Sequence, residues 1–300
     1  MSRLIGFAGV QMATVAWDPV ASVAKIDATV AEIARSFPWV QLIVFHELAA
    51  SGAVPFLPPD PPDSWRAAAQ PIPGPLSDEL CAIARRWHKW LVPGSLYERD
   101  GEAIFNTMLA ISPSGEIVAR YRKVFPWLPF ESDTAAGDTF CVFDIPEVGR
   151  FGLCICYDQW FPEVARTLTW MGAEVILQPT MTPTSDRTLE LVVSQATAIV
   201  NQCYFIGING ISPLGGGRSL IVDPDGRVLQ QAGDHATILT EVLDLDHVTR
   251  TREFGTLGLT QSLKQLRDSG LQFPIYQHGV AQGEGFKRLG PLTTHHKLSR

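Results

Sequence analysis

Short apolar runs of strand character alternate with amphipathic helical stretches along most of this 300-residue chain. That alternation confines it to sheets covered by helices. LIGFAGVQM (4–12) reads as a strand and VAKIDATVAEIARS (23–36) as an amphipathic helix. QLIVFHE (41–47) is an apolar run closing in polar residues, which suits a buried strand. A Pro-rich loop (55–75) precedes the helix LSDELCAIARRWHK (76–89), and WLVPGSLYE (90–98) resumes strand character. MLAISPSGEIVARY (108–121) and SLIVDPDGRVLQ (219–230) each read as two strands joined at a turn, Pro-Ser-Gly in one and Pro-Asp-Gly in the other. Further strands are CVFDI (141–145), FGLCICY (151–157), VILQPT (175–180) and YFIGIN (204–209), with helices over Pro162–Met171 and 189–203. No linker interrupts the series, so the chain reads as one α/β domain to about residue 255. Residues 256–300 form a C-terminal extension, and its last part, GEGFKRLGPLTTHHKLSR, is polar and without periodicity.

The net charge of −7 is spread without a basic block, which argues against a nucleic-acid partner. No stretch has the eighteen or so continuous apolar residues of a membrane span. The N-terminal run MSRLIGFAGVQMATVAWD lacks the small-residue cleavage site of a secretory signal. Five cysteines, an odd number in no framework pattern, point to a reduced, cytoplasmic setting.

Three reactive side chains stand at the carboxyl ends of three separate strands. In FGLCICYDQWFPEVAR (151–166), Phe151, Leu153 and Ile155 would share one strand face and Cys154 and Cys156 the other. The strand stops at Tyr157-Asp158, and Pro162 suits the first turn of a helix. A cysteine at such a turn can expose its sulfur where α/β proteins place their ligands, although a free cysteine also serves as a small buried hydrophobe. Glu47 closes its own apolar strand, a position that an ordinary solvated acid also takes. Lys123 ends the hairpin strand in ARYRKVFPW, beside Arg120 and Arg122.

Together these segments resemble the nitrilase, or carbon–nitrogen hydrolase, superfamily, whose pattern is a Glu, a Lys and a Cys, each in its own motif. VFHEL with Gly52 close behind looks like the glutamate motif and ARYRKVFPW like the lysine motif. GLCICYDQWFPEVAR looks like the cysteine motif, where the nucleophile sits two residues before the Asp, and this selects Cys156 over Cys154. AIVNQCYFIGIN (198–209) and GRSLIVDPDGRVL (217–229) extend the likeness, which covers about residues 4–245. YRKVFPWLPFE (121–131) is similar to the aliphatic amidase and formamidase branch and would make Glu131 a second active-site glutamate. Two positions depart from the pattern: His46 stands where the family has Pro, and SDTAAGD follows Glu131 in place of Trp-Tyr-Pro-Gly.

The resemblance implies a four-layer α-β-β-α sandwich that pairs across a two-fold into a homodimer or a higher homo-oligomer, with the segment around Leu271–Ile275 wrapping the partner. It implies a small carboxamide as substrate, cleaved to acid and ammonia through a thioester on Cys156. The thiolate is the attacking form, so Glu47 would act as base and Lys123 would hold the oxyanion with the backbone N–H of Tyr157. Glu131 would orient the amide nitrogen or the hydrolytic water. Trp127, Phe130 and Trp160 flank the motifs and could line an apolar pocket.

No metal or cofactor is called for, since Cys154 and Cys156 form only a C-x-C without paired spacing or histidine partners. His295-His296 lies in the extension, and 213–217 matches no phosphate loop and suits a rim over the site. Other readings within the superfamily are a nitrilase or an N-carbamoyl amidohydrolase, with Arg218 holding a substrate carboxylate in the second case. A non-catalytic scaffold is the alternative of another class, and the three intact reactive residues argue against it.

Overall fold

The computed structural model describes residues 2–52, 64–128, 130–212, 215–278, 283–287 and 289. Two sheets lie face to face. The first holds β1 (Leu4–Gln11), β2 (Leu42–Phe45), β3 (Trp90–Val92), β4 (Ser95–Asp100), β5 (Ala103–Ile111), β6 (Ile117–Arg122) and β13 (Thr237–Asp244). Its order is β13-β1-β2-β3-β5-β4, with β6 also paired to β5. The second holds β7 (Cys141–Ile145), β8 (Gly149–Leu153), β9 (Val175–Thr180), β10 (Tyr204–Asn209), β11 (Leu220–Val222) and β12 (Val228–Gln231), in the order β12-β11-β10-β9-β8-β7. Each sheet has a parallel centre, β1-β2-β3 in one and β8-β9-β10 in the other, flanked by antiparallel strands.

Strands buried on both faces send alternate side chains into different layers. Ile5, Phe7, Leu42 and Val44 meet Phe151, Leu153, Val175, Leu177 and Ile206 between the sheets. Their neighbours Ala8, Val10, Ile43 and Phe45 face the opposite way, onto Ile26 and Ile33 of α1 (Pro19–Ser36) and Leu80 and Ile83 of α3 (Pro75–Trp87). On the far side, Ile176 and Phe205 pack against Val164 and Leu168 of α4 (Pro162–Trp170) and Ala198 of α5 (Arg187–Asn201). Each such side chain contributes about 1.5–3 kcal/mol on burial. The result is the expected α-β-β-α sandwich in one domain.

Several elements differ from the sequence reading. α1 begins four residues earlier than expected, where Pro19 enters the first turn and the Asp18 carboxylate accepts from Ala21 N at 2.9 Å. The expected single strand over 90–98 is two strands, broken at Pro93-Gly94. Gly94 has φ +77°, and a Cβ there would collide with the His46 carbonyl, so only glycine lets the chain pass so close to the residue before Glu47. No element was expected over 237–254. There β13 pairs with β1 along its whole length, from Leu4 opposite Asp244 to Gln11 opposite Thr237, and leads into α6 (Leu245–Phe254).

Beyond Gly255, α7 (Ser262–Asp268) and α8 (Pro274–His278) lie largely exposed. The first part of the Pro-rich loop falls outside the described residues, and its later part forms α2 (Ser64–Ala68) and the start of α3. Pro129, Pro213, Leu214 and His295-His296 also lie outside them. Among the described residues no helix is long and apolar enough to cross a membrane.

Candidate active site

Three chain segments leave their strands toward one point. β2 ends at Phe45, and Glu47 N donates to Thr180 O at 3.3 Å, which ties the first sheet to the end of β9 in the second. β6 ends at Arg122, and Lys123 follows with its N–H on Asn106 O at 2.9 Å. β8 ends at Leu153, and the chain turns into a short 3₁₀ helix beginning at Cys156.

Cys156 has φ +45°, a left-handed conformation that costs a non-glycine residue energy and is held by its surroundings. Asp158 provides much of that hold. Its carboxylate accepts from Ile155 N at 2.8 Å, Tyr121 Oη at 2.7 Å and Phe125 N at 3.0 Å, joining the cysteine turn to the lysine segment. Gln178 Nε2 donates to Cys156 O at 3.0 Å.

The turn also corrects the expected C-x-C face. Because the strand stops at Leu153, Cys154 packs in the outer layer with Val164 and Leu168, whereas Cys156 joins the layer between the sheets. The two thiols therefore have different surroundings.

Four of the candidate side chains converge. Lys123 Nζ lies 3.0 Å from Glu47 Oε1 and 2.5 Å from Glu131 Oε2. Asn106 Nδ2 donates to Glu47 Oε1 at 2.8 Å and to Glu131 Oε1 at 3.0 Å, and Trp127 N donates to Glu131 Oε2 at 2.6 Å. Lys123 is 1% exposed, Glu47 4% and Cys156 5%. Two buried carboxylates around one ammonium leave a net negative charge, an arrangement that a stability argument alone does not call for.

Burial raises the Glu47 carboxyl above its ordinary range, with Lys123 opposing and Glu131 reinforcing the rise. Burial works to lower Lys123, but Glu131 and Glu47 outweigh it and the ammonium is held well above its usual value. The Cys156 thiol is pushed well up, first by burial and then by Glu47, with Lys123 opposing. A thiol shifted in that direction needs a base beside it to take its proton as the sulfur attacks. Asp158 rises to about 6 through burial.

The far side of the sulfur carries a second polar chain that the sequence reading missed. Cys156 Sγ lies 3.8 Å from Thr182 Oγ1, which is 3.0 Å from Thr180 Oγ1 and donates to Glu190 Oε1 at 3.0 Å. Glu190 Oε2 is 2.9 Å from Arg187 Nη1, and both side chains are buried. Arg187 also donates to Gly217 O and Arg218 O at the rim. A signal existed: residues 187, 190, 194, 197 and 201 form one polar stripe on α5, and the structure buries it. Asn106 was missed too, since nothing local distinguishes an asparagine inside an apolar strand.

The aromatic candidates divide. Trp127 contacts Phe130 at 4.6 Å between ring centroids and Tyr157 at 6.5 Å, and Tyr157 meets Phe161 edge-on at 5.3 Å. These rings adjoin the cysteine turn. Trp160 lines instead a surface groove between α4 and α5 with Pro162, Arg166, Val193 and Tyr276.

Comparison with known proteins settles the class. The carbon–nitrogen hydrolase family model matches residues 7–253. The chain belongs to that family. Mouse omega-amidase NIT2 is 30% identical over 200 residues, covering 62% of this chain and 72% of the relative. The structure of Nit3 from Saccharomyces cerevisiae, a branch 10 member of the nitrilase superfamily, superposes with TM-score 0.76 at 25% identity, over 84% of this chain and 94% of that one. An amidase from Nesterenkonia sp. superposes with TM-score 0.71 at 26% identity, over 84% and 94%. A variant of that amidase with acrylamide added at its active-site cysteine gives 0.70 at 25%, over 83% and 97%. This chain is thus an amidase-type carbon–nitrogen hydrolase, as its motifs implied.

Proposed function

We propose that the protein hydrolyses a small carboxamide to a carboxylic acid and ammonia, with Cys156 as nucleophile, Glu47 as base and Lys123 as oxyanion holder. The observation that carries this reading is the closed group of Glu47, Lys123 and Glu131 in hydrogen-bond contact beside the strained Cys156 turn. Glu47 takes the thiol proton as sulfur attacks the carbonyl carbon. Lys123 and the Tyr157 N–H then stabilise the oxyanion, where one such donor contributes about 3–4 kcal/mol of barrier lowering. On collapse the C–N bond breaks, Glu47 returns the proton and ammonia leaves. Glu47 next deprotonates a water, which hydrolyses the thioester and restores the thiol. A carboxyl raised by burial suits a group that serves as base and then as acid. The covalent acrylamide adduct of the Nesterenkonia amidase shows a reactive cysteine in a protein of this fold, which supports that role for Cys156.

Glu131 bears on the choice between amide and nitrile. Its carboxylate already accepts from Lys123, Asn106 and Trp127 N. An amide NH₂ can add one more hydrogen bond to this charged group, worth about 1.5–3 kcal/mol, or about ten- to hundredfold in rate, whereas a nitrile nitrogen has no proton to donate. Ammonia release from one acyl group offered as amide, nitrile and ureide tests the assignment: the amide should lead, and a faster nitrile or ureide would overturn it. Glu131→Gln should lower amide kcat/KM by about ten- to hundredfold and narrow the gap to the nitrile.

The same reading takes the protein to be a cytoplasmic homodimer paired through α4 and α5. Trp170 is 85% exposed and Val192 65%, with Leu189 and Val200 beside them, an apolar surface that a second copy would cover. The extension from 256 onward, with exposed Leu271 and Tyr276, would lie along that interface. Five free cysteines suit a reducing compartment. Light scattering at micromolar concentration should give twice the protomer mass, and a monomer would refute the pairing.

A further inference from the structure

The chain Thr182–Glu190–Arg187 bears on which acyl group the site accepts, an inference that rests on the amidase reading above. Thr182 Oγ1 faces the sulfur at 3.8 Å, and its proton is committed to Glu190 Oε1. An acyl group esterified to Sγ would therefore lie near Thr182, with Glu190 directly behind it. Among the described residues, both cations near the sulfur are already engaged. Lys123 is held by Glu47 and Glu131, and Arg187 gives all three of its guanidinium nitrogens to Glu190, Gly217 O and Arg218 O. Arg218 places its own guanidinium on Thr188 Oγ1 at an exposed contact. Outside the described residues, lysine and arginine occur only at Arg288, Lys297 and Arg300, all in the C-terminal extension.

We propose that the paired Glu190 and Arg187, presented through Thr182, make the acyl pocket selective for amides with an uncharged acyl chain and against amides with a distal carboxylate. A carboxylate entering beside Cys156 would lose its water and meet Glu190 and Glu47, with each neighbouring cation already bound to another acid. An uncharged chain loses nothing comparable. This makes Glu190 a specificity residue of the site.

The test compares 4-methylpentanamide with succinamate, which share the CH₂CH₂CONH₂ frame and differ in carrying an isopropyl group or a carboxylate of similar size. For the wild-type enzyme, kcat/KM should favour 4-methylpentanamide by about 100-fold, equivalent to about 2.8 kcal/mol. Equal turnover, or a preference for succinamate, overturns the inference and leaves the amidase reading standing. If 4-methylpentanamide is as poor as succinamate while butyramide is cleaved, pocket size decides and the charge argument fails. If none of the three releases ammonia while the matching nitrile or ureide does, the amidase reading itself fails.

Glu190→Gln should free the Arg187 guanidinium and raise succinamate relative to 4-methylpentanamide by at least tenfold; an unchanged ratio removes Glu190 from the role. Should that variant not fold, Arg187→Gln with Glu190→Gln leaves no unpaired charge and again offers the carboxylate no cation. Discrimination must then weaken, because the Glu190 carboxylate no longer opposes the incoming one, and a ratio unchanged from wild type would overturn the proposal.

Discussion

The two faces of α5 reverse the arrangement of an ordinary surface helix. Its inner face carries Arg187, Glu190, Ser194, Thr197 and Asn201, all buried, while its outer face shows Leu189, Val192, Ile199 and Val200 to solvent. Surface helices normally bury the apolar stripe and expose the polar one. The inner face is tolerable because its charges are paired: Glu190 to Arg187 and Thr182, and Ser194 to Gln159. Among the described residues the outer face has no such compensation within the protomer. Charge has gone inward where the sulfur is, and apolar surface outward where a second copy would cover it.

The largest effect should come from the inner side. Cys156→Ala is expected to lower kcat/KM by about 10⁴-fold or more, with circular dichroism and Tm almost unchanged. Cys154→Ala, in the outer layer, should keep most activity. Swapped results would show that the two thiols had been assigned the wrong way round. Lys123→Met should also abolish turnover, and it leaves Glu47 and Glu131 buried together without their cation. Breaking such a group costs about 3–5 kcal/mol, readable as a lower urea midpoint. A midpoint equal to wild type would show that the carboxylates take up protons freely, and the distinction between the two faces would weaken.

His46 sharpens the comparison through pH. Burial lowers its imidazole to about 4 from an ordinary 6.5, and its Nδ1 rests 2.8 Å from Glu47 O. Between those values the unfolded chain binds one more proton than the folded one, so stability falls as pH drops from 6.5 to 4, by about 3 kcal/mol in all. Asp158, raised from 3.8 to about 6, has the opposite sign and gains stability as pH drops through that range. The two effects offset each other in the wild type, so the quantity to measure is the difference between wild type and His46→Gln. Urea unfolding at pH 7 and at pH 4.5 should give His46→Gln the steeper gain, or the smaller loss, toward acid. Parallel profiles would mean that His46 is protonated in the folded state.

The smallest change in protomer stability should come from the outer face. Leu189→Asp with Val192→Asp is expected to alter unfolding of the isolated protomer by no more than about 0.5 kcal/mol per site, yet to halve the mass seen by light scattering. A dimer that survives both charges would place the interface elsewhere.

Much of the frame was legible in the amino-acid sequence. Apolar alternation marked most strands, Pro-Ser-Gly and Pro-Asp-Gly marked the hairpin turns, and three strand-end motifs marked Glu47, Lys123 and Cys156. These signals are local, carried by a few consecutive residues. The early start of α1 was legible as well, in Asp18-Pro19, an N-cap followed by a first-turn proline, although the apolar periodicity begins only at Val23. β13 was not, because TILTEVLD owes its place to pairing with β1, more than two hundred residues earlier in the chain.

The amino-acid sequence by itself determined the elements, the layer type and the identity of the reactive side chains, since backbone propensity, turn chemistry and motif spacing act over short stretches. Only the tertiary structure decided how those side chains act on one another. It set Glu47 and Glu131 on the same ammonium, and it turned Cys154 and Cys156 into different layers by ending β8 at Leu153. It also brought Glu190, on a helix of the far layer, within one hydroxyl of the sulfur. The physical reason is that pairing of buried charges depends on distances of about 3 Å between atoms remote in sequence, and those distances exist only once both sheets have closed on each other.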